Sequence, residues 1–475
     1  MSKLAQQRIR ENKEKHARGE DARSLNLGGC GLRDWPKELF ECVWLEELVM
    51  SDLVWDVKKK EWRYQDGPGN QLHHIPAAIT KLKKLRGLYI GGDDGKSAIS
   101  DLSPLQGLTQ LQTLYLRDNL IKDLAPLRGM TQLQTLDLRS NQLTDISQLR
   151  GLSQLQTLDL RSNQLTDLSP LQGMSQLQIL DLSWNQLTDI SPLQALIQLH
   201  TLQIGNNQLT DISPLKGLTQ LHTLDLRNNS LTDFSPLQSL TQLHTLDLRN
   251  NSLTDFSPLQ SLTQLHTLDL SHNQFTDLTK LQGLTQLQRL NLSNNQLSDI
   301  WPLQHLKQLH VLDLSSNQIR DLSPLQPLAQ LHTLKVSDNL IDDIRPLEAI
   351  RNLTTCVLRN NRIAYFNKST FLNLINKLLG EDLLRAIIEV KNILVKSQKY
   401  ELAARFRDIE KNIEADVEQG VRKEGSVYVD KYDIWEKVIS LLILDGNPIK
   451  SPPLETIRKG PQETLHYFQD QQDAQ

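Results

Sequence analysis

Cysteine is nearly absent. Cys30, Cys42 and Cys356 stand far apart and share no metal-ligand spacing, which excludes a disulfide scaffold and a zinc finger and fits a reducing compartment. Aromatic residues make up 5% of the chain, so leucine has to supply the apolar core. No apolar run approaches the roughly 18 residues that a membrane span needs. Lys and Arg together number 52 against 56 for Asp and Glu, and the net charge of −4 leaves no global basic excess for nucleic acid or an anionic membrane. The opening residues, Met1-Ser-Lys-Leu-Ala-Gln-Gln7, are polar and form no signal-peptide core. The expected location is the cytoplasm, with neither nucleic acid nor membrane as a partner.

What is present in abundance is one phrase. Asparagine returns every 22 residues at Asn119, Asn141, Asn163, Asn185, Asn207, Asn229, Asn251, Asn273, Asn295, Asn317, Asn339 and Asn361. Each closes a stretch such as Leu133-Gln-Thr-Leu136-Asp-Leu138-Arg-Ser-Asn141. This resembles the leucine-rich-repeat signature L-x-x-L-x-L-x-x-N, whose period is roughly 20–29 residues. Leu136 and Leu138 lie two apart and so share one face of a short strand, with Asp137 and Arg139 on the other. The Leu face turns inward, and the Asp/Arg face becomes the concave side of a horseshoe. Asn141 is expected to tie the turns of adjoining coils, because an amide both accepts and donates where buried backbone groups need partners.

The rest of each coil reads like Asp167-Leu-Ser-Pro-Leu171. Ser before Pro predicts an N-cap hydroxyl followed by a residue with preset φ. Few residues remain before the next strand, so the convex side should hold a turn or 3₁₀ segment, with Leu171 and Met174 as back wall. This brief return resembles internalin-type repeats. The fold class is an α/β repeat solenoid, a leucine-rich-repeat horseshoe of about 16 coils with a parallel concave sheet.

The predicted organisation is a helical N-terminal cap over 1–21, repeats over 22–363, a helical-hairpin insertion over 364–436, a last repeat over 437–450, and a cap or linker helix over 451–475. The cap should cover the open edge of the first strand. In the first coil Cys30 stands at the Asn position. A polar, aromatic-bearing insertion near Val54–Gly69 interrupts the second coil, and a Gly/Asp-rich bulge at Gly91–Ser97 follows the third. Residues 224–245 and 246–267 are identical.

Two columns mark the concave face. One holds Asp137, Asp159, Asp181, Asp225, Asp247, Asp269 and Asp313, and the next holds Arg117, Arg139, Arg161, Arg227, Arg249 and Arg359. Stacked like charges repel, and the adjacent opposite column relieves them. The pair reads either as a self-compensated exposed ladder or as a charged bed for a protein partner. The candidate partner-binding residues are Arg117, Asp137, Arg139, Asp159, Arg161, Trp184, Asp225, Arg227, Asp247 and Arg249. Trp184, one position beyond the Arg column, is the aromatic anchor among them.

Gly91-Gly-Asp-Asp-Gly-Lys-Ser97 resembles a P-loop but has Ile90 where the motif needs Gly, and its two Asp oppose phosphate. His200, His222, His244 and His266 stack at the repeat spacing, as do His310 and His332. Gln134 and Gln156 hold the same position, so drift between polar residues explains them as well as metal binding does. No nucleophile–base pair stands out, and the chain is not expected to be an enzyme or to hold a cofactor or metal.

Two ends carry a further resemblance. Ile9-Arg-Glu-Asn12 with Leu25-Asn-Leu-Gly-Gly-Cys30-Gly-Leu32, and Asn447-Pro-Ile-Lys-Ser-Pro-Pro453 through Gly460 with Tyr467-Phe468, resemble the repeat region of bacterial Roco proteins. That resemblance implies a regulatory scaffold that restrains dimerisation and GTP turnover of adjoining Roc-COR domains. GTP would enter only through a Roc domain that does not follow here. The insertion passage from Tyr400 to Ile409 is similar to the UVR motif, through Glu401, Ala403, Ala404, Arg407, Asp408 and Ile409. It implies a protein-binding hairpin with Tyr400, Glu401, Ala404, Arg407 and Asp408 as contacts, or else a hairpin that packs on the last coils. The alternative function is an internalin-like adhesin or effector that binds a host or cell-surface protein.

Overall fold

The computed structural model describes residues 2–51, 53–56, 61–64, 67–91 and 98–362. The predicted hairpin insertion with Tyr400, Glu401, Ala404, Arg407 and Asp408, the last repeat and the C-terminal helix lie outside the described residues. So does the P-loop-like stretch after Gly91. The chain divides into two compact units, Met1–Ser252 and Leu253–Gln475.

In the first unit, helix α1 (Lys3–Ala17) precedes a row of three-residue strands. These are β1 (Ser24–Asn26), β2 (Glu47–Val49), β5 (Gly87–Tyr89), β6 (Thr113–Tyr115), β7 (Thr135–Asp137), β8 (Thr157–Asp159), β9 (Ile179–Asp181), β10 (Thr201–Gln203), β11 (Thr223–Asp225) and β12 (Thr245–Asp247). Each pairs in parallel with the next, Leu136 opposite Leu158 and Leu158 opposite Leu180. Between β2 and β5 the insertion forms an antiparallel hairpin, β3 (Leu53–Asp56) with β4 (Glu61–Tyr64). The sequence marked that insertion but not its strands. The second unit repeats the pattern with β13 (Thr267–Asp269), β14 (Arg289–Asn291), β15 (Val311–Asp313), β16 (Thr333–Lys335) and β17 (Thr355–Val357).

The core is built coil by coil. In the coil of β7, Leu133, Leu136, Leu138, Leu143, Ile146, Leu149 and Leu152 are all buried. Burial of one such side chain is worth roughly 1.5–3 kcal/mol. The return path is a single 3₁₀ turn, such as Ser169–Leu171, with Leu171 and Met174 buried behind it. The cap of that turn differs from the expectation. Ser169 caps nothing: its N–H and its hydroxyl both donate to the Asp167 carboxylate, at 2.8 Å each. Carboxylate to N–H is a charge-assisted bond and beats a hydroxyl for the same donor. These bonds hold Asp167 below the usual carboxylate range.

The asparagines carry the coil-to-coil ties. Asn163 Nδ2 donates to Leu138 O of the preceding coil at 3.1 Å and to Leu160 O of its own at 3.0 Å. Its Oδ1 accepts from the Leu143 N–H at 3.0 Å. Asn70 does this for the coil that the insertion breaks, bonding Leu27 O, Met50 O and the Leu32 N–H.

Helix α1 lies on the edge of β1. Asn12 Nδ2 donates to Ala22 O and Ser24 O, each at 3.0 Å, and Arg8 donates to Asn26 O and Gly28 O. Trp44 Nε1 donates back to Asn12 Oδ1, and the Trp44 ring stacks on His16 at 3.8 Å. The free carbonyls of the edge strand are thus covered by side-chain donors.

Candidate partner-binding face

The strand face carries the Asp and Arg columns, and the Asp column proves to have a backbone task. Asp137 Oδ1 accepts the Arg139 N–H at 3.1 Å, Asp159 Oδ1 the Arg161 N–H at 3.0 Å, and Asp225 Oδ1 the Arg227 N–H at 3.0 Å. An N–H held by the side chain two residues back needs no ladder partner, so each Asp satisfies a backbone donor just past the end of its strand. Asn291 does the same for Ser293.

The Arg column answers the Asp column in a zigzag. Arg139 Nε lies 3.6 Å from Asp137 Oδ2 and its Nη1 4.0 Å from Asp159 Oδ2. Arg227 Nε lies 3.3 Å from Asp225 Oδ2 and its Nη1 4.0 Å from Asp247 Oδ2, which Arg249 Nε approaches to 3.2 Å. Burial still dominates the carboxylates. It raises Asp137 and Asp225, and it pushes Asp159 up to about 7, with the neighbouring charges of Asp137 and Asp181 adding to the rise. At long, partly solvated distances the guanidinium groups do not offset that loss of hydration.

Two of the expected partner contacts are removed from the surface. The Arg117 side chain is 3% exposed, lies over Gly91 and reaches Ser51 Oγ at 3.4 Å. Asp137 is likewise buried. Both sit where the Asp column gives way to tyrosine, Tyr89 and Tyr115 stacking there with ring centroids 4.9 Å apart. Arg139, Asp159, Arg161, Asp225, Arg227, Asp247 and Arg249 keep solvent contact.

Trp184 is 53% exposed and has φ 58°. Its column in the first unit reads Asp118, Ser140, Ser162, Trp184, Asn206, Asn228, Asn250, all left-handed. Asn, Asp and small Ser tolerate that region; a bulky indole is out of place there. Around it both charge columns break: Ser183 and Gly205 stand at the Arg position, and Gln203 at the Asp position. Ile179 on the same coil is 45% exposed. The sequence singles out Trp184 but not Ile179, Ser183 or Gly205, although these too differ from the coils just before them.

The histidines stack without converging. Ring centroids lie 5.6 Å apart for His200 and His222, 5.3 Å for His222 and His244, and 5.4 Å for His310 and His332. Among the described residues no group of three or more His, Cys, Asp or Glu side chains is placed to hold a metal ion. All three cysteines are buried and none is in a disulfide. Burial pushes the Cys42 thiol up to about 11 and Cys356 to about 12, which leaves neither as a reactive thiolate at neutral pH. No helix among the described residues is long and apolar enough to cross a membrane.

Comparison with known proteins fits this geometry. The family described as leucine rich repeats (2 copies) matches at residues 109–151, 131–173, 153–195, 175–217, 197–239, 219–261, 241–283 and 285–327. The chain belongs to the leucine-rich-repeat proteins, whose fold is an interaction scaffold. An internalin, InlF, of Listeria monocytogenes is 38% identical over 60% of this chain and 83% of its own, with a TM-score of 0.58. A leucine-rich-repeat protein of Leptospira interrogans is 26% identical over 77% of this chain and 90% of its own, with a TM-score of 0.65. The plant peptide hormone receptor RGFR1, solved in complex with RGF2, shares the fold at 24% identity, 72% and 59% coverage and a TM-score of 0.55. No curated protein matches.

Proposed function

We propose that this chain is a protein-interaction scaffold that holds a protein partner on its strand face around Trp184, as the regulatory repeat region of a Roco-type GTPase. One observation carries the binding site: a large aromatic residue kept exposed in a backbone region that penalises it. Strain retained at an exposed position points to a use for the side chain. The Roco assignment rests on the resemblance of Ile9-Arg-Glu-Asn12 and Leu25–Leu32 to the start of those proteins. The chain acts by holding, and GTP turnover belongs to Roc-COR domains outside it.

A second reading, an adhesin or effector that works in contact with a host protein, is favoured by the 38% identity across most of InlF. One experiment separates the two. The full chain is tested by biolayer interferometry against a purified bacterial Roc-COR protein, and by flow cytometry against cultured animal cells. Binding to Roc-COR alone supports the regulatory reading, and binding to cells alone supports the second. Trp184→Asn should weaken either by at least about tenfold, as loss of an interface anchor does. Binding to neither, by a chain whose circular dichroism shows it folded, overturns both.

A further inference from the structure

We infer that the coils of β9 and β10 form a subsite for a basic side chain carried on an extended peptide segment of the partner. This deepens the scaffold reading and rests on it. In the first unit, Asp137, Asp159, Asp225 and Asp247 each have an Arg two residues on, whereas Asp181 has Ser183. The Asp181 Oδ1 takes the Ser183 N–H at 2.9 Å and the carboxylate forms no ion pair among the described residues. Next to it in the column stands Asp159, which is pressed by the charge of Asp181. The column has room here for a cation that the chain itself does not supply.

Trp184 adds the second half of a cation site. Its backbone N–H donates to Gly205 O at 2.9 Å, so the exposed Trp184 adjoins a coil that carries no side chain at the Arg position. A Cβ on Gly205 would come within 2.7 Å of Arg227 Cγ and 3.0 Å of Asp225 Oδ1, so the Arg227 chain lies folded across that glycine. With Ser183 and Gly205 at the Arg position, neither the coil of Asp181 nor the next one offers that carboxylate a guanidinium, and the Arg227 chain that covers Gly205 is turned to Asp225 and Asp247. A carboxylate and an aromatic face together attract an ammonium or guanidinium group more than either does alone. Ile179, exposed on the same coil, offers an apolar contact for a flanking residue.

Two unsatisfied donors identify the rest of the ligand. Ser183 is 2% exposed and its hydroxyl has no hydrogen-bond partner among the described residues. Asn206 Oδ1 accepts from Asn228 Nδ2 at 2.8 Å, in a row that Asn250 continues, but the Asn206 Nδ2 at the end of that row has no partner. Buried polar groups are nearly always paired, and an orphan costs about 1–3 kcal/mol. Both orphans adjoin the patch in sequence, and both can donate. An extended peptide carries backbone carbonyls that accept such bonds after small side-chain adjustments, while its side chains alternate toward and away from the face. Acceptors on the backbone and a cation on the side chain match two neutral donors and a carboxylate.

The probe is a phage-displayed library of short random peptides selected on the full chain. Enrichment of Lys or Arg beside a β-branched or aromatic residue is expected. The selected peptides, made synthetically, should lose about thirtyfold in affinity with Trp184→Asn, the size of a hot-spot loss. With Asp181→Asn the loss should be about fivefold and salt-dependent, while Trp301→Ala on the turn side should leave affinity unchanged. Peptides enriched in acidic residues, or indifferent to both Trp184→Asn and Asp181→Asn, overturn the subsite. If such indifferent peptides are nonetheless displaced by Arg227→Glu with Arg249→Glu, the scaffold reading survives without it. Absence of any selected binder overturns both.

Discussion

Replacing Asn163 by Ala tests the physical basis of the fold. The substitution removes a buried amide and leaves its shape partly filled. Three bonds of good geometry disappear: to Leu138 O, to Leu160 O and from the Leu143 N–H. The Leu143 N–H is buried and has no second acceptor within reach once Oδ1 is gone, so it bears the full desolvation cost of about 1–3 kcal/mol. The Leu138 carbonyl belongs to the preceding coil, and its loss adds a similar but smaller amount, since an acceptor with two lone pairs is less demanding. The expected sum is about 3–4 kcal/mol. Because coils couple only to their neighbours, the urea transition followed by circular dichroism should shift to lower midpoint and broaden. Gln164→Ala, next door and exposed, should stay within about 0.5 kcal/mol. If Asn163→Ala matches Gln164→Ala, the amides are ornaments and the account of how coils are tied is wrong.

Three further outcomes follow from the same structure. Trp184→Asn places a residue tolerant of φ 58° where a bulky one is strained, so the midpoint of urea unfolding should rise by an amount equivalent to about 1 kcal/mol. Asp159, raised to about 7 by burial first and by Asp137 and Asp181 second, keeps its proton in the folded chain after the unfolded chain has lost it. Stability should therefore be highest below about pH 4 as far as this group is concerned, fall by roughly 2–4 kcal/mol up to about pH 7, and level off; Asp159→Asn should remove that fall in a series of melts across pH. Asp167→Ala removes both bonds to Ser169 and should cost about 1 kcal/mol by the same urea measurement.

The fold was legible because one residue type at one spacing has one physical reason. Asn163 recurs at the repeat period because only an amide satisfies an N–H of one coil and carbonyls of two. Leu136 and Leu138 alternate with Asp137 because a strand has two faces. The Asp column was legible as a column but not as a device. Its acceptance of the N–H two residues on is a local side-chain choice, and an Asp that takes its own chain's N–H looks in sequence like an Asp that meets a partner. The burial of Arg117 was hidden for a different reason: it depends on Gly91 and Ser51, which stand outside the regular register. The hairpin of β3 and β4 sits inside an insertion with no period to read.

A perfectly repeated face is a poor place for specific recognition. Where successive coils present the same side chains, as the identical residues 224–245 and 246–267 do, a bound segment can slip one strand, about 4.8 Å, and find equal contacts. Specificity is a difference of affinities, and equal rungs supply none. A register is fixed only where columns break. The coils of β9 and β10 break three at once: Arg gives way to Ser183 and Gly205, Asp to Gln203, and a small left-handed residue to Trp184. The columns on either side then act as rails of alternating charge that hold a partner loosely, and the break decides where it stops. Arg249→Gln, one coil further along, should therefore weaken binding without changing which peptides are selected, whereas Trp184→Asn should change the selected set itself, as sequencing of the enriched phage would report.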